Sequence, residues 1–120
     1  MWVIETTDTF DAWFCSLCDV DRACVLAALI VLREKGPMLP RPYADTVKRS
    51  RYSNMKELRV QSRGDPLRTF FAFFAFDPHR TGILLCAGNK AGNEKRFYDE
   101  MIPLADREFA HYLNRLNKKE

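Results

Sequence analysis

The chain has 120 residues, 47% of them hydrophobic and 29% charged, with a formal net charge of +3. That length suits a single domain, 1–120, with a real core, and the composition excludes a disordered chain. No apolar run approaches the roughly 18 residues of a membrane span, so no membrane partner is expected.

The charge is unevenly spread. Residues 1–40 hold three Lys/Arg and six Asp/Glu, residues 41–68 eight and three, and residues 69–120 eight and seven. A basic middle on a near-neutral body suggests an anionic partner such as nucleic-acid phosphate. A solvated basic loop is the plain alternative. The opening MWVIETTD lacks the basic start and long apolar centre of a secretory signal. The expectation is a cytoplasmic protein whose four cysteines are reduced thiols.

WVIE at 2–5 reads as a first strand. In DTFDAWFCSL, Asp8 is a good N-cap, with Phe10, Trp13, Phe14 and Leu17 at helical spacing. DVDRACVLAALIVLREKGP predicts a second helix. Asp19 caps it, Val25, Leu26, Leu29, Ile30 and Leu32 form its apolar face, and Gly36-Pro37 ends it. From Gly36 to Met55 the prolines and the basic KRSRYSN suggest a long ordered loop. MKELRVQS, LRTFFAFFAF and ILLCAG then read as three strands joined by the turns RGDP and DPHRTG, an antiparallel meander. The tail NEKRFYDEMIPLADREFAHYLNRLNKKE is helical, and Pro103 should kink it or start it afresh. The order β-α-α-loop-β-β-β-α defines an α+β domain with helices packed on a small antiparallel sheet.

Several chemistries are poorly served. Cys15 and Cys18 have a C-x-x-C spacing, but zinc needs about four ligands and no histidine is near. They read as small buried apolar residues. His79, in a turn, and His111, beside a packed helix face, lack a triad partner, and no phosphate-binding or zinc-protease motif occurs. What remains is a set of cations. Lys56 and Arg59 lie on the first meander strand and Arg68 opens the second. Lys90 follows the third, and Lys95, Arg96 and Tyr98 open the last helix. On one sheet face they could grip an RNA backbone or stabilise charge on a phosphate during cleavage. A solvated face with scattered cations is the alternative.

The run GPMLPRPYADTVKRSRYSNMKELRVQSRGDPLRTFFAF, followed by DPHRTGILLCAGNK, resembles a known family. It is similar to the phage-derived HigB branch of the RelE/ParE toxin superfamily of bacterial type II toxin–antitoxin systems. The resemblance covers nearly the whole chain. It rests on R-P-Y-A-D, K-E-L-R, a glycine turn, an arginine before an aromatic strand, then I-L-L and G-N-K. It implies a RelE/ParE-like fold and a bacterial or prophage-encoded, ribosome-dependent endoribonuclease that cleaves messenger RNA and inhibits translation. The 2′-hydroxyl of the RNA would be the nucleophile, so neither a metal nor another cofactor is required. The implied partners are the ribosome, the message and a cognate helix-turn-helix antitoxin, which would form a hetero-oligomer with the toxin. The acidic helical N-terminal third and the basic sheet face are both surfaces where it could bind.

The resemblance assigns catalysis to Lys56, Arg59, Arg68, Lys90 and Tyr98, with Glu57 standing where some relatives have a second lysine. Arg49, Arg51, Arg63, Lys95 and Arg96 are the expected RNA-binding residues. To act as base, Tyr98 would need neighbouring cations to lower its pKa from about 10. A gyrase-binding poison of ParE type and a catalytically inactive antitoxin-binding or RNA-binding relative are the other readings. One stretch is unusual. Five of the seven residues from Phe70 to Phe76 are Phe, in the order FFA, FFA, F. Compared with the shorter aromatic strand of relatives, this looks like a three-residue duplication, and an odd insertion swaps strand faces. A bulge or lengthened hairpin within 70–76 is therefore expected, sparing Arg68, which should not point into the helix-packed side.

Overall fold

The computed structural model describes residues 1–73 and 80–118. Its elements are β1 (Val3–Thr6), α1 (Asp8–Ser16), α2 (Asp19–Lys35), a 3₁₀ turn (Gly36–Met38), β2 (Ala44–Thr46), β3 (Met55–Ser62), β4 (Asp65–Phe73), β5 (Thr81–Asn89) and α3 (Glu94–Lys118). The five strands form one sheet in the order β1-β5-β4-β3-β2. The meander β3-β4-β5 is antiparallel as expected, and β1 joins its edge in parallel with β5. The sheet is therefore mixed. The stretch read as a loop contributes the other edge, where β2 pairs antiparallel with β3.

Each face of the sheet is covered. The helical hairpin α1–α2 packs Phe10, Val25 and Leu32 on Leu58, Val60, Leu67, Phe71, Phe73 and Leu84. Helix α3 packs Ile102, Ala105 and Phe109 on Met55, Phe70, Ala72, Ile83, Leu85 and Cys86. This two-sided burial explains the aromatic run. A strand with one wet face alternates apolar and polar residues, whereas β4 is apolar on both faces. Phe70 goes to α3, Phe71 and Phe73 go to the hairpin, and Ala72 leaves space under α3.

The register between β4 and β5 steps once. Phe70 pairs with Cys86 and Phe71 with Leu84, so Leu85 is the extra residue. As in other bulges, two successive side chains, Leu85 and Cys86, then lie on one face, that of α3. The bulge falls at the Phe70–Phe71 step, with its additional residue on the partner strand. Phe74 to Phe76, the Asp77-Pro78-His79 part of the turn and the rest of the duplicated segment lie outside the described residues.

The helix ends differ in detail from the sequence reading. Thr7, not Asp8, caps α1: its hydroxyl accepts from the Phe10 amide at 3.1 Å and donates to the Leu85 carbonyl at 2.6 Å. The N-cap of α2 is Cys18, with Asp19 as the first helical residue. Gly36 ends α2 at φ 60°, ψ −141°, a conformation open to glycine, and a Cβ there would lie 2.3 Å from the Trp2 indole. Helix α3 runs through Pro103 without a fresh start. Leu26 and Ile30, expected on the buried face of α2, are exposed, as are Cys15 and Cys18. The hairpin turns only Val25 and Leu32, of the large apolar residues of α2, fully inward.

Candidate active site

The cleft lies on the α3 side of the sheet, toward β2. Strand alternation decides who reaches it. On β3, Met55, Glu57 and Arg59 face α3, whereas Lys56, Leu58 and Val60 face the hairpin. Lys56 and Arg59 are three residues apart, an odd spacing, so they cannot share a face. Accordingly the Lys56 ammonium donates to the Pro37 carbonyl at 3.0 Å, behind the sheet. The expectation that all the cations converge on one face is corrected for Lys56.

Arg59 and Arg68 are direct cross-strand partners in the β3–β4 register. Like charges directly opposite each other destabilise a sheet unless a counter-charge separates them. Arg59 has Asp45 at 3.2 Å and Glu57 at 3.7 Å. Arg68 is 7% exposed and spends one N–H on the Leu67 carbonyl at 3.0 Å. The Nε atoms of both arginines are buried without a hydrogen-bond partner. Two neighbouring guanidiniums with buried Nε donors that make no hydrogen bond, Arg59 lining the cleft and Arg68 beside it, are suited to an anion. Arg68 does face a helix, since both sheet faces carry one, but it is the face that holds the cleft.

Beside them lies Glu57, 5% exposed. The Tyr98 hydroxyl donates to both its carboxylate oxygens, at 2.6 and 3.0 Å. Burial and the Glu57 carboxylate push the Tyr98 phenol up to about 12, against the smaller opposing effect of Arg68. This reverses the expectation that cations prepare Tyr98 as a base. The sequence marked Glu57 only as a departure from the family pattern, with no chemical role. Its signal was present: a carboxylate between Lys56 and Leu58 on a strand whose odd positions face the cleft.

Lys90 follows β5, its ammonium 5.9 Å from the Tyr98 ring centroid and 3.1 Å from Glu94. The cleft, of about 250 Å³, is lined by Asp45, Lys48, Arg49, Glu57, Arg59 and Tyr98 among others. Arg49 stands at its rim, paired with Asp99, which also binds Lys95 at 2.7 Å. Lys95 and then Arg49 hold the Asp99 carboxyl below the usual range. Arg96 pairs with Glu100 along α3. The Arg51 amide bonds Asp106, and its side chain is exposed. Arg63 is elsewhere: at the β3–β4 turn it grips Asp21 of α2 with two N–H groups, at 3.1 and 2.9 Å. The structure thus gathers Arg59, Arg68, Tyr98 and Lys90, with Arg49 at the rim, and does not bring Lys56 or Arg63 to them. Among the described residues no group of three His, Cys, Asp or Glu is placed to hold a metal, and no helix is long and apolar enough to cross a membrane.

A mixed sheet with a helical hairpin on one face, a single long helix on the other and a cation-lined cleft between that helix and the sheet is the architecture of the RelE/ParE class. Within that class the chain belongs to the phage-derived Gp49-like family, whose model matches residues 12–110, in its HigB branch. It is 47% identical over 113 residues to a Mycobacterium tuberculosis H37Rv protein named "Putative toxin HigB2", covering 93% of this chain and 54% of that protein. It is 45% identical over 103 residues to "Putative toxin HigB3" of the same organism, covering 86% of each. The chain therefore spans about half the length of the first relative and most of the second.

Proposed function

We propose that the protein is the toxin of a toxin–antitoxin pair and a metal-independent endoribonuclease that cuts messenger RNA on the ribosome. One observation carries the reading: the Arg59–Arg68 cross-strand pair, with both Nε groups buried and unsatisfied, beside the Glu57–Tyr98 hydrogen bond. The scissile phosphate sits between the guanidiniums, whose charge is worth most as the phosphorane gains negative charge. Glu57 takes the proton of the 2′-hydroxyl, which attacks the adjacent phosphorus. Tyr98, still protonated at neutral pH, gives its proton to the departing 5′-oxygen. Substrate must part the two side chains, since acid and base serve opposite ends of an in-line displacement. When product leaves, their renewed contact returns the proton from Glu57 to Tyr98 and restores the starting state. Lys90 adds positive charge near the Tyr98 ring.

The cleft holds no histidine among the described residues, and the ribosome supplies the orientation that a shallow site lacks. The test is to incubate translating ribosomes with the protein and map the message ends. The expected products carry a 2′,3′-cyclic phosphate and a 5′-hydroxyl. Intact messages in cells whose growth the protein arrests would overturn the nuclease reading, and loss of supercoiling in the same cells would favour gyrase as target.

A further inference from the structure

We infer that the apolar groove beside the cleft docks an acidic amphipathic helix of a protein inhibitor, which blocks cleavage by drawing Arg59 away from the phosphate. The inference rests on the toxin reading for the partner's role. A groove of about 630 Å³ runs between α2, the 3₁₀ turn and β3, lined by Val31, Met38, Pro40, Tyr43, Lys35 and Arg59. Its walls are exposed to an unusual degree. Met38 is 80% exposed, Tyr43 59% and Val31 44%. Contiguous apolar surface of this kind marks an interaction site.

Charge chooses the occupant. The groove holds Lys35 and Arg59, with Arg41 exposed nearby on the same loop. A second copy of the chain, docked through the same patch, would set these cations against their own copies. Single-stranded RNA wants a cationic track with stacked aromatics, and here aliphatic walls dominate, with Tyr43 the one ring. A helix with apolar residues at i, i+3, i+4 and i+7 fills such a groove, and an acidic face meets its cations. Arg59 lines both this groove and the catalytic cleft. A carboxylate from the helix that pairs with Arg59 replaces Asp45 as its partner and removes one of the two phosphate donors.

The test uses Val31→Asp and Met38→Asp, both at exposed positions outside the cleft, with the product of the gene adjoining this chain's gene as probe. Each variant is first required to match the wild-type melting temperature. Binding of the probe should weaken about 30-fold or more, as at an interface hot spot, while RNA cleavage by the free variants stays at the wild-type rate and escapes inhibition. Binding within twofold of wild type, or no binding of the probe by the wild-type protein, overturns the inference. Slower cleavage with unchanged probe binding assigns the groove to RNA instead. A wild-type dimer that either variant makes monomeric assigns it to a second copy. If the wild-type protein cuts no RNA yet binds the probe through the groove, the nuclease reading fails and the docking surface stands.

Discussion

At the scale of single residues, alternation along β3 separates two lysine and arginine positions that K-E-L-R makes look equivalent. Lys56 binds the Pro37 carbonyl behind the sheet, so Lys56→Ala should leave RNA cleavage within about threefold of wild type. Arg68→Gln removes a buried donor from the proposed phosphate site and should lower kcat about 10²- to 10³-fold, the range for loss of one oxyanion donor. Equal losses from the two substitutions would mean that the face assignment is wrong. Glu57→Gln and Tyr98→Phe should each cost about 10²- to 10⁴-fold, the range of general acid–base catalysis. The phenol can also be observed directly. Because burial and Glu57 raise its pKa to about 12, the folded protein favours the neutral form. Its contribution to stability is intact below the unfolded value near pH 10 and is lost as pH rises through 12. In a spectrophotometric titration, Tyr98→Phe should therefore remove a late-ionising tyrosine. Loss of one that ionises below pH 10 would restore Tyr98 as a prepared base.

At the scale of elements, the clearest signals were long and periodic. Residues 19–35 and the tail from residue 93 read as helices from their spacing, and the three strands of the meander from their turn residues. Strand β2 was hidden because three residues among Pro40, Pro42 and a basic loop leave no period to count, and it exists only because β3 offers an edge. The bulge was legible as a conflict of register near the phenylalanines, but not as an extra residue on β5, which only the pairing with Cys86 and Leu84 reveals. Glu57 was named as a departure from a family pattern and not as chemistry, since its meaning depends on Tyr98, 41 residues away in sequence. The end of α2 is also set by a tertiary contact. Gly36 holds a conformation reserved largely for glycine and packs under Trp2 of the β1 edge. Gly36→Ala adds backbone strain of about 1–3 kcal/mol and a clash with the indole. The variant should melt several degrees lower, and Trp2 fluorescence should shift as the ring is displaced. An unchanged melting temperature would mean that the turn relaxes freely.

At the scale of the molecule, two cores on opposite sheet faces must be held in step, and α2 reaches the far end of the meander through one polar clamp. Asp21, buried at the start of α2, accepts two bonds from Arg63 and one from the Ser62 hydroxyl at the β3–β4 turn. The Arg63 guanidinium first, and Ser62 next, hold the Asp21 carboxyl far below the ordinary carboxylate range. The sign of the linkage follows. A depressed folded value means that the unfolded chain binds the proton more readily. The clamp's stabilisation is therefore complete above the unfolded Asp value near pH 4, and it is lost as pH falls below that value toward the lower folded one. Asp21→Asn keeps the shape and removes the charge. It should lower the melting temperature at pH 7 and flatten its decline between pH 5 and pH 2, so that the two proteins converge in acid. Parallel curves, displaced by a constant amount over that range, would show that packing at this corner, and not the Asp21–Arg63 charge pair, joins the hairpin to the sheet. The same substitution lies behind the sheet from Arg59 and Arg68. RNA cleavage measured at pH 7, below the melting temperature, should therefore stay at the wild-type rate, which separates the clamp that holds the fold from the arginines proposed to hold the phosphate.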